Sequence, residues 1–134
     1  MSSAPPQSEL HRHLDVCTRA STLLEWTQAD GLETQGTSLS AFQSKIWLTK
    51  PLQSLGEVLG TFALFQKVLT SPERIERLAF EAAEDCAREQ ARYVEFRYSP
   101  AFVSEFGGLS WPEALQALER GLKRARETYP QLQT

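Results

Sequence analysis

The residues best suited to chemistry lie together near the start of the chain, in Glu9-Leu10-His11-Arg12-His13-Leu14-Asp15. Both histidines of the 134-residue sequence fall here, two positions apart. On an extended segment, side chains two apart project from the same side, about 7 Å apart at the backbone. Two imidazoles converging from that spacing can grip one divalent cation, and neutral imidazole suits zinc. Asp15 continues the same face and could bind metal, orient a ligand or accept a hydrogen bond from a substrate hydroxyl. A chance pair of histidines in a strand gives the same pattern, and catalytic zinc usually has three protein ligands plus water. Cys17 can be read as a third donor or as a small apolar packing residue.

The elements that must position these groups follow from periodicity. Alternation predicts a strand over Glu9–Val16, with Glu9, His11, His13 and Asp15 on one face and Leu10, Arg12, Leu14 and Val16 on the other. Residues 1–8, rich in Pro and Ser, read as irregular. Ser21 to Ala29 reads as a short helix stopped by Gly31, and residues 31–53 as a long loop with one helical turn around Ala41–Ile46. Leu55, Val58, Leu59, Phe62, Phe65 and Leu69 recur at helical spacing, an apolar stripe down a helix of about four turns that fits core packing. Thr70-Ser71-Pro72-Glu73 predicts a capping box with Thr70 as the cap. In the helix it opens, Ile75, Leu78, Ala79, Ala82 and Cys86 form the buried stripe and the Glu/Arg run of residues 73–89 a solvated face. Tyr93–Tyr98 alternates again as a second strand; its charged Glu95 and Arg97 fit either buried ion pairing or a solvated edge. Ser110-Trp111-Pro112-Glu113 opens a last helix with Leu115, Leu118 and Leu122 inward. Strands alternating with helices predict βαβ organisation and a parallel sheet.

Composition bounds the rest. Apolar residues make up 41% and charged residues 23%, which is ordinary for a folded domain. A net charge of -3 and a pI near 5.4 argue against nucleic acid or a membrane surface as partner, since no basic excess exists to neutralise phosphates. The opening residues lack the charged and apolar regions of a signal peptide, and no apolar run approaches a membrane span. Two cysteines far apart suit a reducing, cytoplasmic setting.

The motif Glu9-Leu10-His11-Arg12-His13-Leu14-Asp15, with Arg19 and Ser21-Thr22-Leu23 after it, resembles the first barrel strand and following helix of the adenosine deaminase family. Tyr93-Val94-Glu95-Phe96-Arg97-Tyr98-Ser99-Pro100 resembles that family's second strand. Lys50-Pro51-Leu52 and the Leu55–Phe62 stripe resemble the insertion that covers its substrate pocket. The resemblance spans about residues 8–125 in the right order. It implies an α/β fold, a partial (β/α)8 TIM barrel comprising the first two βα units with a helical insertion between strands 1 and 2. Residues 9–134 would then be the N-terminal part of one barrel domain.

The resemblance further implies Zn2+ as cofactor, held by His11 and His13. Asp15 would bind the ribose 5′-hydroxyl of a purine nucleoside. Leu55, Val58 and Phe62 would form the apolar pocket wall, with Arg97 and Ser99 in a structural and pocket-edge role. The implied reaction is hydrolytic deamination of adenosine to inosine and ammonia, zinc lowering the pKa of a water that attacks C6. Relatives acting on adenine, AMP or aminodeoxyfutalosine are the nearby alternatives, and a non-catalytic interaction module is the other class of reading. Three departures stand out: Val16 and Cys17 where the family has Gly and Ser, Gln90 where it has a turn Gly, and Arg92 at a usually apolar strand start.

A complete barrel of this kind takes about 250 residues. The family's third zinc-binding histidine, its acid/base glutamate, a further catalytic histidine and its metal-binding aspartate are therefore expected on later strands, so that this chain holds no catalytic residue. The expectation is a chain inactive by itself, weak in zinc binding, marginal in folding and prone to self-association through open sheet edges.

Overall fold

The computed structural model describes residues 7–99, 101 and 107–134. Period-two alternation produces β1 at Gln7–His13 and β2 at Ala91–Arg97, which pair in parallel as a two-stranded sheet. Three helices and a fourth, longer one make the crossover between them. These are α1 (Ala20–Ala29), α2 (Leu39–Ile46), α3 (Leu55–Lys67) and α4 (Pro72–Arg88); α5 (Trp111–Thr128) follows β2. The order is that of an α/β protein built from βαβ units. At the far edge of β2 Tyr93 forms an isolated parallel bridge with Gln133: the Val94 amide donates to the Gln133 carbonyl and the Gln133 amide to the Arg92 carbonyl, each at 2.9 Å. No helix among the described residues is long and apolar enough to cross a membrane.

The first strand differs from its sequence reading. It begins at Gln7 and ends at His13, and Leu14–Val16 coil into a 3-10 turn closed by the Cys17 amide donating to the Leu14 carbonyl at 2.9 Å. The last paired rung is His13 with Arg97, where β2 also ends. Beyond it, full burial draws Leu14 into the helical core and the chain turns with it. Asp15 therefore leaves the histidine face and sits buried in the turn. Leu10, on the face opposite the histidines, is 58% exposed.

Helix α4 is the hub. Ile75, Leu78, Ala79 and Ala82 are buried with Leu14, Leu23, Trp26, Phe42 and Leu69 in one core; Ala83, Cys86 and Ala87 join Ala91, Val94, Ala125 and Leu132 in a second. Its cap is Ser71, whose hydroxyl accepts from the Arg74 amide at 3.3 Å, not Thr70. Pro72 occupies the first turn, where a missing N–H costs nothing, and that fixes the residue before it as the cap. Ser110 and Glu113 do form the expected capping box on α5.

Two expected faces are corrected. The charged side of α4 is not all solvated: Glu81 and Glu84 are buried, tied to partners in or capping α1 and α5. Thr22 donates to Glu81 at 2.8 Å, Arg19 to Glu84 at 2.6 Å, and the Tyr129 hydroxyl to Glu84 at 2.6 Å. On α5 the buried residues are Ala114, Ala117, Leu118, Gly121 and Ala125, while Leu115 and Leu122 are half-buried. Small residues win that face because α4 approaches closely; a Cβ on Gly121 would run into the Glu76 carbonyl oxygen. In the loop region, α2 is eight residues long rather than one turn, capped by Ser38 and anchored by the buried Phe42. Gln90 adopts φ 67°, the left-handed region that a glycine would occupy more cheaply.

Candidate metal and substrate site

His11 and His13 stand on the same face of β1, as period two requires, with Nε2 atoms 3.2 Å apart and ring centroids 5.1 Å apart. Two nitrogens each about 2.0–2.1 Å from a tetrahedral zinc would be separated by about 3.3 Å, so the pair fits two corners of one coordination shell. Both rings are exposed, so a ligand can reach them. Among the described residues no group of three His, Cys, Asp or Glu side chains is arranged to hold a metal. Cys17 is not the missing donor. Its thiol donates to the His13 carbonyl at 3.1 Å, and burial pushes its pKa up to about 12, against the thiolate a metal ligand needs.

The ends of the two strands bring further groups to the same end of the sheet. Asp15 is 3% exposed in the turn after β1, and its Oδ1 has no hydrogen-bond partner among the described residues. Tyr98 and Ser99 directly follow β2, both half-buried. The Tyr98 hydroxyl is likewise buried and unpartnered. Sequence reasoning treated Tyr98 only as a strand residue; its place one step past the partner of His13 was the available signal. Glu95 and Arg97 are exposed, and Glu95 accepts from the Tyr93 hydroxyl at 2.9 Å. The solvated reading of that strand face therefore holds in this chain.

Helix α3 reaches over this end of the sheet and contacts the 3-10 turn. The Phe62 ring lies 6.4 Å from that of His13. The stripe divides: Phe65 and Leu69 at its end pack in the core, whereas Leu55 and Leu59 are 72% and 51% exposed and Val58 and Phe62 half-buried. Ser54 caps the helix by accepting from the Glu57 amide at 3.2 Å, so the helix is locally well begun even where its apolar side is open.

The family profile described as adenosine deaminase matches residues 6–130. The chain belongs to the adenosine deaminase family. An adenosine deaminase of Clostridium perfringens is 33% identical over 124 residues, covering 92% of this chain and 37% of the relative. The chain thus spans little more than a third of the length of such relatives. An amidohydrolase from Burkholderia ambifaria, solved with bound zinc, superposes with a TM-score of 0.77 at 25% identity, covering 93% of this chain and 33% of that one. The N6-methyl-AMP deaminase of Arabidopsis thaliana superposes with a TM-score of 0.64 at 33% identity, covering 88% and 33%. Family membership, with the zinc-bound amidohydrolase among the similar structures, points to a metal cofactor.

Proposed function

We propose that this chain forms the first two βα units of a (β/α)8 barrel and supplies one wall of a zinc-dependent purine deaminase site. The proposed reaction is hydrolysis of adenosine to inosine and ammonia. The observation that carries it is the convergence of the His11 and His13 Nε2 atoms, 3.2 Å apart, at the end of β1 in a segment matched by the deaminase family. His11 and His13 would hold the metal, which supplies the Lewis acidity that makes water a nucleophile near neutral pH.

The other roles rest on position. Asp15 accepts a hydrogen bond from a ribose hydroxyl, which favours a nucleoside over free adenine. Leu55, Val58 and Phe62 wall the purine and exclude water, which strengthens electrostatic interactions within the site. Ser99 lies at the pocket edge. The general acid and base are not among these residues; with two histidines in the whole sequence, the chain has no third imidazole to offer. Adenine and AMP remain the competing substrates, and the cytoplasm is the proposed setting.

A second reading, a binding module using the same fold, is favoured by one observation. Beyond Gln133 the outer edge of β2 borders a cleft of about 530 Å³ lined by Phe96, Trp111, Leu118 and Leu122. An open edge over an apolar cleft favours pairing with another strand, including that of a second copy. Ammonia release from adenosine, assayed on the purified chain with added zinc, separates the possibilities. No release is expected from the chain alone, and turnover would overturn the assignment of catalysis to residues outside it. Zinc binding that is lost in His11→Ala supports the deaminase wall, whereas metal-independent dimerisation without zinc binding supports the module.

A further inference from the structure

Arg12 stands between the two histidines in sequence, and while their rings are exposed its guanidinium reaches back to α4. Its Nη1 donates to the Cys86 sulfur at 2.9 Å and its Nη2 to the Glu89 carboxylate at 3.3 Å. Cys86 lies in the last turn of α4 and Glu89 caps its C-terminus, the end of a helix that favours a cation. The Arg12 Nε also lies 3.9 Å from the Glu9 carboxylate, whose other oxygen accepts from the His11 amide at 3.2 Å. One guanidinium thus links the strand around His11 to the end of α4.

The strand needs such a tie at this point. The register advances from Glu9 to Arg12 along β1 but only from Val94 to Phe96 along β2, so β1 carries an extra residue between those rungs. Leu10 and His11 fall in that bulge, where the ladder is interrupted. Leu10 is 58% exposed and packs too little to hold the bulge in place. The requirement on the rings is narrow. Zinc–nitrogen bonds of about 2.0–2.1 Å fix the separation of two ligand nitrogens, and the Nε2 atoms already stand 3.2 Å apart. With both rings exposed, that separation depends on the strand beneath them. We propose that Arg12 is a positioning residue: by fastening the bulged part of β1 to α4, it holds the His11 and His13 rings at the separation one metal ion requires. A lysine could not do the same, because its single ammonium lacks the fork that spans Cys86 and Glu89. This rests on the reading of the two histidines as metal ligands and adds a residue that acts only through them.

The test uses the full chain, with zinc affinity measured by competition against a chromophoric chelator and the histidine ring signals followed by NMR. Arg12→Met keeps the aliphatic stem and removes every donor. It is expected to bind zinc about tenfold more weakly, the usual effect of losing a group that orients a metal ligand. Two other accounts of Arg12 predict otherwise. Loss of a nearby cation would by itself favour a dication, and a role confined to stability would leave the affinity of the folded chain unchanged. Arg74→Met is the control: Arg74 makes a comparable tie outside β1, from α4 to Asp30 at 2.6 and 2.8 Å, and this variant should bind zinc as the wild type does. Cys86→Ala removes one acceptor without changing charge and should weaken zinc severalfold, whereas Cys86→Ser, which keeps an acceptor there, should restore it. That pair decides the matter should Arg12→Met not fold. Zinc binding by Arg12→Met that equals or exceeds the wild type overturns the proposal, as does equal binding by Cys86→Ala and Cys86→Ser or an equal loss in Arg74→Met. In those cases the metal reading survives, provided that zinc moves the wild-type histidine signals. Wild-type histidine signals that ignore zinc overturn the two together.

Discussion

Helix α4 meets its neighbours through groups that are nearly all matched, whereas the end of the sheet that carries His11 and His13 leaves its groups facing outward or unpaired. Around α4, buried carboxylates find guanidinium and hydroxyl partners from α1 and α5, and Arg12 of β1 donates to the Cys86 sulfur at 2.9 Å. At the other end, two exposed imidazoles face each other, one carboxylate oxygen and one phenol have no partner among the described residues, and the first turns of α3 are open. The contrast separates stability from function. Substitutions around α4 should change folding, and substitutions at the sheet end should change what binds.

The largest expected effect is at the hub. Leu78 is fully buried, and Leu78→Ala should cost about 2–5 kcal/mol in urea denaturation, from lost transfer energy plus the cavity. A loss below about 1 kcal/mol would show that the α4 core is not the folding core.

Glu84→Gln comes next, at about 1 kcal/mol near neutral pH, because it removes a buried acceptor shared by Tyr129 and Arg19. Hydrogen bonds from Tyr129 and then Arg19 hold the Glu84 carboxyl below the usual range. A depressed folded-state pKa stabilises above the unfolded value of about 4.3 and is lost as pH falls through the folded one. The wild-type chain should therefore lose stability on acidification below about pH 4.3 more steeply than Glu84→Gln. Parallel pH curves would contradict the pairing.

Gln90→Gly should stabilise by about 1 kcal/mol, since φ 67° strains a residue with a Cβ; a lower thermal midpoint would contradict it. The smallest effect is expected at Leu55, 72% exposed: Leu55→Ala should stay within about 0.5 kcal/mol of wild type. A large destabilisation there would erase the difference between the two regions.

The histidine pair was legible in the sequence because a strand has a fixed period, and two residues two apart share a face whatever else the fold does. Asp15 was not placed correctly because the end of a strand depends on where its neighbour ends, and β2 lies some eighty residues away. The α4 face was misread for a similar reason: Glu84 looked solvated next to Arg88, while its half-buried partner Arg19 is 65 residues distant. Helical spacing marked the α3 stripe but could not say whether core or ligand covers it. The left-handed turn at Gln90 was readable from a departure at a single residue.

The central claim is that His11 and His13 act as two ligands of one metal ion. X-ray absorption on the zinc-loaded chain tests it directly, alongside His11→Ala and His13→Ala. The account predicts one zinc per chain with two imidazole nitrogens at about 2.0–2.1 Å, completed by water, and loss of binding in either variant. Zinc bound with one or no imidazole, or bound unchanged in both variants, would contradict it.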